Sequence, residues 1–204
     1  TLMKRLSNKW MARAAFSYMD HKEYYDGPNA VHNPSRSDVS DNTSTLAAAP
    51  PQSGPQVDGG QFAERSGGSG KGDIFFNAKW QFVANGLYEL PAGFEFAGAL
   101  YGRQGYLRPI ILRLSAGADG PLRVLGTPTI DQNRYPNLWN LDLRLAKNFK
   151  LGGRRKMMLA ADLFNVFNSS TELNRIRQAN SSAFNRLDEI MSPRILRVGA
   201  RFSF

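Results

Sequence analysis

In Leu138–Phe149, "LWNLDLRLAKNF", apolar and polar positions alternate. Trp139, Leu141, Leu143, Leu145 and Phe149 share one parity; Asn140, Asp142, Arg144, Ala146 and Asn148 share the other. Successive strand residues point to opposite faces, so this segment reads as a strand with one apolar and one polar face. The same period recurs along the chain. "WMARAAFSY" sets Trp10, Ala12, Ala14, Phe16 and Tyr18 against Met11, Arg13, Ala15 and Ser17. "FNAKWQFVANGLYEL" groups Phe76, Ala78, Trp80, Phe82, Ala84, Gly86, Tyr88 and Leu90 opposite Asn77, Lys79, Gln81, Val83, Asn85, Leu87 and Glu89. "FEFAGALYGRQGY" places Phe94, Phe96, Gly98, Leu100 and Tyr106 against Glu95, Tyr101 and Arg103. "KMMLAADLFNVF" is apolar on both faces apart from Lys156, Asp162 and Asn165. The terminal "RILRVGARFSF" sets Leu196, Val198, Ala200, Phe202 and Phe204 against Arg197, Gly199, Arg201 and Ser203, and "TLMKRL" reads as the tail of a further strand.

Strand length and loop asymmetry narrow the fold class. At ~3.3 Å per residue, Leu138–Phe149 extends on the order of 40 Å. Tilted by ~45°, it covers a bilayer core of roughly 25–30 Å; soluble strands have a mode near 5–6 residues. The connections alternate short and long. Ser7–Lys9, Leu90–Gly93 and Leu151–Arg155 are tight turns with the Gly, Pro or Asn that turns require. Between them lie long loops at about 20–73, 109–137 and 168–192. Short periplasmic turns and long outer loops are the pattern of outer-membrane barrels. With Phe204 at the periplasmic edge, all three short turns fall on that side. Trp10, Tyr88, Phe149 and Phe204 then mark the periplasmic girdle, and Tyr18, Phe76, Tyr106 and Trp139 the outer one. The expectation is an all-β, antiparallel transmembrane β-barrel. A soluble β-sandwich gives similar alternation, with shorter strands and less lopsided loops.

Composition changes this picture little. The 204 residues are 42% hydrophobic and 11% aromatic, with a formal net charge of +9 and a mean hydropathy of -0.41. A barrel needs apolar residues only at alternate positions, so negative hydropathy does not exclude one. No apolar run reaches the ~18 residues of a membrane helix. The absence of cysteine removes disulfide and thiolate chemistry. Nucleic-acid binding is not expected, because no dense Lys/Arg block with interleaved aromatics occurs. The sequence starts at Thr1 and is expected to be the back end of a longer protein.

The polar parity supplies the candidate lumen-facing residues: Lys79, Glu89, Glu95, Arg103, Asp142, Arg144, Asp162, Arg197 and Arg201. They either line a transport path or pair with one another to stabilise a polar lumen, as any such interior requires. Lys147 has the apolar parity near the periplasmic end, where a lysine snorkels and its charge costs about 0–1 kcal/mol instead of the ~2–4 of the midplane. Asn165 is a similar exception near the outer end. His21 and His32 read as solvated loop residues, and "GGSGKG" (Gly67–Gly72) as flexible linker because the order of a phosphate loop is missing. No nucleophile–base pair or carboxylate dyad stands out, so no catalysis, cofactor or metal is expected.

The segments "LWNLDLRLAKNFKLGGRRKMMLAADLFNVFNSS" and "SPRILRVGARFSF" resemble the C-terminus of TonB-dependent outer-membrane receptors. The likeness is greatest to the Oar-like subgroup, whose plug follows a carboxypeptidase-regulatory-like domain. "KRLSNKWMARAAFSY" and "AKWQFVANGLYELPAGFEFAGALYGRQGY" resemble the preceding strands of that subgroup. The resemblance implies a barrel of about 22 strands, with 1–204 forming its C-terminal part. It implies active import of a ligand (siderophore, glycan or peptide) across the outer membrane of a Gram-negative bacterium. The implied partners are membrane lipid, the imported ligand, and TonB through an N-terminal region outside this sequence. Val198, Ala200, Phe202 and Phe204 resemble the signal read by the barrel-assembly machinery. The alternative is a structural or adhesive outer-membrane barrel without energised transport.

Overall fold

Strands joined by tight turns must lie beside one another and run antiparallel, and the fold follows that rule throughout. The computed structural model describes residues 1–26, 56–61, 64–65, 75–115, 121–127 and 129–204. His32 and the Gly67–Gly72 segment lie outside the described residues. In chain order the strands are β1 (Leu2–Ser7), β2 (Trp10–Tyr18), β3 (Lys22–Asp26), β4 (Gln56–Gln61), β5 (Glu64–Arg65), β6 (Phe75–Phe76), β7 (Trp80–Glu89) and β8 (Phe94–Arg103). They continue with β9 (Ile111–Ser115), β10 (Pro121–Leu125), β11 (Leu138–Lys150), β12 (Lys156–Phe164), β13 (Glu172–Arg175), β14 (Leu187–Ile190) and β15 (Ile195–Ser203). The chain is therefore all-β, with antiparallel sheets.

Seven of these strands form one sheet in the order β1-β2-β7-β8-β11-β12-β15. The remainder pair as β3–β4, β5–β6, β9–β10 and β13–β14 within the long connections. The seven-stranded sheet is open: β1 pairs only with β2, and β15 only with β12. No closed barrel is formed by the described strands.

The short turns lie at one end of this sheet. Ser7 pairs with Trp10 across Asn8 and Lys9, whose φ values of 52° and 69° are those of a two-residue primed hairpin. At the second turn, Leu90 N donates to Phe94 O at 2.8 Å while Ala92 and Gly93 take φ values of 58° and 79°. At the third, Gly152 and Gly153 take positive φ, and Leu151 N donates to Arg155 O at 3.1 Å. The long connections leave from the opposite end.

Register keeps each face continuous. Trp10, Ala12, Ala14, Phe16 and Tyr18 lie opposite Tyr88, Gly86, Ala84, Phe82 and Trp80. Leu100 stands between Ala84 and Leu141, Leu145 pairs with Ala161, and Ala161 pairs with Val198. One apolar face thus runs from β2 to β15. It is largely exposed: Phe16 is 63% accessible, Phe202 61% and Val198 76%. The main apolar burial lies elsewhere, among Leu107, Ile111, Ile130 and Tyr135 in the connections at the long-loop end.

Three strands end earlier than alternation predicts. β8 stops at Arg103, and Tyr106 turns its ring beneath the Arg103 guanidinium at 3.5 Å, on the polar side, leaving the outer apolar row. β12 stops at Phe164 because Asn165 adopts φ 49° and buries its side chain in the loop; Asn165 is therefore not on the apolar face. β7 starts at Trp80, and Phe75–Phe76 pairs separately with Glu64–Arg65. In each case a local turn or a loop partner takes over where period two would continue.

Candidate functional site

The polar face is built mainly by β8, β11, β12 and β15, and its centre is a charged ladder. Arg144, Asp162 and Arg197 occupy directly opposed positions on three adjacent strands. Asp162 is 7% exposed. Its Oδ1 accepts from Arg144 Nη1 at 2.8 Å, and its Oδ2 accepts from Arg197 Nη2 at 2.8 Å and Nε at 3.0 Å. One carboxylate thus binds two guanidiniums, with charge-assisted bonds of the stronger kind. Arg197 also lies over the Phe164 ring at 5.1 Å.

Asp142 stands two residues before Arg144, on the same face. Its Oδ1 accepts from Asn140 Nδ2 at 3.0 Å and from the backbone N of Asn165 at 2.9 Å. Asn165 then fixes the loop: its Nδ2 donates to Ser169 O and Ser192 O, and its Oδ1 accepts from Ser169 N. The charged ladder is thereby tied to the entrance of the third long connection.

The other candidates lie apart from this centre. Glu89 and Glu95 face one another across β7 and β8 near the short turns, a like-charge pairing that costs stability. Asn148 Nδ2 donates to Glu95 Oε1 at 2.6 Å and offsets part of that cost. Arg103 is buried at the long-loop end and donates to Gln104 O at 3.0 Å. Lys79 precedes β7 and pairs with Asp20 at 3.2 Å. Arg201 lies exposed on β15, opposite Met158. Asp142, Arg144, Asp162 and Arg197 are therefore brought together, while Lys79, Glu89, Glu95, Arg103 and Arg201 are distributed around them.

The second and third long connections form a joint cap at the long-loop end of the sheet. Ile111 N donates to Arg177 O at 3.0 Å, and Ala179 N to Ile111 O at 2.8 Å. Tyr135 is the hinge pin of the cap. Its hydroxyl donates to Asn174 Oδ1 at 3.1 Å and accepts from Arg175 N at 2.9 Å. Burial pushes the Tyr135 hydroxyl above its ordinary pKa, with smaller opposing effects from the Arg175 backbone bond and from Arg177, Arg108 and Arg175. Arg175 forms a short paired contact with Glu172, which holds the Glu172 carboxyl below its ordinary range. Arg134 Nη1 donates to Asn77 O and Gly105 O, joining this cap to the entry of β7 and the exit of β8. Burial lowers the Arg134 pKa, partly countered by Asp131.

Sequence reasoning missed Tyr135, Arg134, Glu172, Arg175 and the anchoring role of Asn165. The available signal for Asn165 was the pair of asparagines in "NVFN": Asn165 and Asn168 both take positive φ, where asparagine is favoured. The other residues have partners far along the chain and no periodic signature.

The candidate assembly residues Val198, Ala200 and Phe202 lie on the apolar side of β15, and Phe204, just beyond its end, is 99% exposed. Among the described residues no helix is long and apolar enough to cross a membrane, which says nothing of crossing by strands. No group of three metal-ligating His, Asp or Glu side chains occurs among the described residues.

No family model matches the chain, and no curated protein matches it. The class established by the fold is an all-β protein with a two-faced, antiparallel seven-stranded sheet and a cap at its long-loop end.

Proposed function

We propose that this chain is the C-terminal part of a β-barrel in the outer membrane of a Gram-negative bacterium, belonging to a TonB-dependent active transporter. The observation that carries the membrane part is the continuous apolar face. Six consecutive strands of the sheet, β2 to β15, keep their apolar residues in register, and that face remains exposed. A soluble sandwich would bury such a face against a second sheet; lipid covers it without one. Six of the seven strands have 9–13 residues, the length required to cross a tilted barrel wall. The open edges of β1 and β15 would pair with further strands, because hydrocarbon leaves no water to satisfy them.

In this reading the polar face lines the lumen, and Arg144, Asp162 and Arg197 neutralise one another there while leaving a net positive charge. The capped connections present the ligand-facing surface, and transport is a property of the whole parent protein. The resemblance of the terminal strands supports assignment to the TonB-dependent class over a structural or adhesive barrel.

The direct test is to read the coding sequence upstream of Thr1. A plug and a TonB box ahead of about 15 further strands would support energised import. Further barrel strands without a plug or TonB box would favour the adhesive alternative. Uptake that survives collapse of the proton-motive force would also contradict the transporter assignment.

A further inference from the structure

Two lysines interrupt the apolar face, and their surroundings differ. Lys4 is turned back onto the first tight turn. Its ammonium donates to Ser7 O at 2.8 Å, Ser7 Oγ at 2.8 Å and Trp10 O at 3.0 Å, matching the three donors an ammonium possesses. Lys147 makes one such bond, to Ala92 O at 2.7 Å, and sits 3.9 Å from the Phe94 ring centroid. Among the described residues the Lys147 ammonium makes no other hydrogen bond, and its side chain is half-buried.

Lys147 also stands at the head of a groove of about 520 Å³ on the apolar face. Phe94, Leu145 and Lys147 form one wall, and Val198 lies on the other side. The small side chains of Ala161, between Leu145 and Val198, and of Ala200, beside Leu159, line it. Register puts Leu159 and Ala200 level with Lys147, and Leu145, Ala161 and Val198 one step farther from the short turns, so the space over Ala161 lies on the side of Lys147 away from the rim. Its apolar lining suits a hydrocarbon chain, and the cation at the rim is complemented by an anionic group.

We propose that this groove binds one anionic phospholipid of the periplasmic leaflet, with an acyl chain over Ala161 and its phosphate on Lys147. The site rests on the membrane reading above and adds to it a lipid of defined charge. Electrostatics choose between the two lysine positions: the Lys4 donors are consumed by the protein, whereas Lys147 retains donors for a phosphate oxygen. An aromatic ring lies 3.9 Å from each ammonium, Phe94 at Lys147 and Trp10 at Lys4, so the hydrogen bonds alone distinguish the two positions.

The test uses the full-length protein in nanodiscs of equal palmitoyl-oleoyl phosphatidylglycerol and phosphatidylcholine, with retained lipid counted by native mass spectrometry. The expected result is retention of phosphatidylglycerol over phosphatidylcholine by about fivefold, the effect of one basic residue at an anionic lipid surface. Lys147→Gln brings the ratio near one, Lys147→Arg preserves it, and Lys4→Gln leaves it unchanged. Ala161→Phe fills the trough and lowers retention of both lipids. Equal retention by the wild type, or an undiminished preference in Lys147→Gln, would overturn the site while leaving the membrane reading intact. A protein that enters neither lipid would overturn both. If Ala161→Phe does not assemble, comparison of the two Lys147 variants decides.

Discussion

The indole of Trp139 lies across Gly102 so closely that a Cβ on the glycine would fall 2.4 Å from the ring. The two residues are directly opposed on β11 and β8, on the apolar face. Trp80 approaches the same indole with ring centroids 5.5 Å apart. Gly102 is thus the floor on which the Trp139 indole packs at the long-loop end of the sheet, with Trp80 against the same indole. Gly102→Ala is expected to destabilise the full-length protein by about 1–3 kcal/mol through overpacking. A lower urea midpoint with altered tryptophan emission would show it. An unchanged midpoint would contradict the packing described.

Opposite faces of β11 should respond differently to added charge. Leu143 lies on the apolar face between Gly98 and Leu163, whereas Asn140 lies on the polar face beside Asp142. Leu143→Arg is expected to cost ~2–4 kcal/mol in a bilayer and Asn140→Arg markedly less. Refolding into vesicles at graded urea measures both. Equal losses would contradict the assigned faces.

The Arg144–Asp162–Arg197 ladder predicts an order of effects. Asp162→Asn removes the carboxylate between two guanidiniums and leaves them opposing each other. Arg197→Gln removes only the partner with the more exposed side chain. Asp162→Asn is therefore the more damaging change, and Asp162→Asn combined with Arg144→Gln is less harmful than the sum of the two. Unfolding midpoints of the four proteins in that cycle measure the coupling. Strict additivity would show that the ladder contributes no pairing energy.

The cap at the long-loop end has a defined pH dependence. The Glu172 carboxyl is held below its ordinary 4.5, chiefly by its bond to Arg175. Its contribution is therefore complete above 4.5 and lost as the pH falls through the depressed value. The Tyr135 hydroxyl, raised above 10.0 by burial, contributes fully below 10.0 and loses that contribution as the pH rises through its elevated value. Hydrogen exchange, corrected for its intrinsic pH dependence, should show the β13–β14 hairpin protected at neutral pH and less protected near pH 3. Constant corrected protection over that acid range would contradict the Glu172–Arg175 anchor.

Period two made the sheet legible because each residue there has one of two orientations. Trp10–Tyr18 is a strand over the full predicted segment, and the apolar parities of β2, β7, β8, β11, β12 and β15 meet in register. Alternation reports a face; it does not report a partner. It therefore could not show that Arg144, Asp162 and Arg197 form a single ladder. It also overran at Tyr106 and Asn165, where positive φ or a loop contact ends the ladder without interrupting the letters. The cap was hidden for a different reason. Tyr135–Asn174 and Arg134–Asn77 join residues 39 and 57 positions apart, and such contacts leave no local pattern.

The central claim is that one face of this sheet meets lipid and the other meets water. The chain has no cysteine, so single cysteines carry a spin label without background. Labels at Phe82, Ala84 and Tyr88, and at Gln81, Asn85 and Glu89, sample the two faces of β7. In the full-length protein in vesicles, the first three should be relaxed preferentially by oxygen and the second three by a water-soluble nickel chelate. Loss of that alternation, or preferential access of the nickel chelate to the first set, would contradict the membrane-facing assignment.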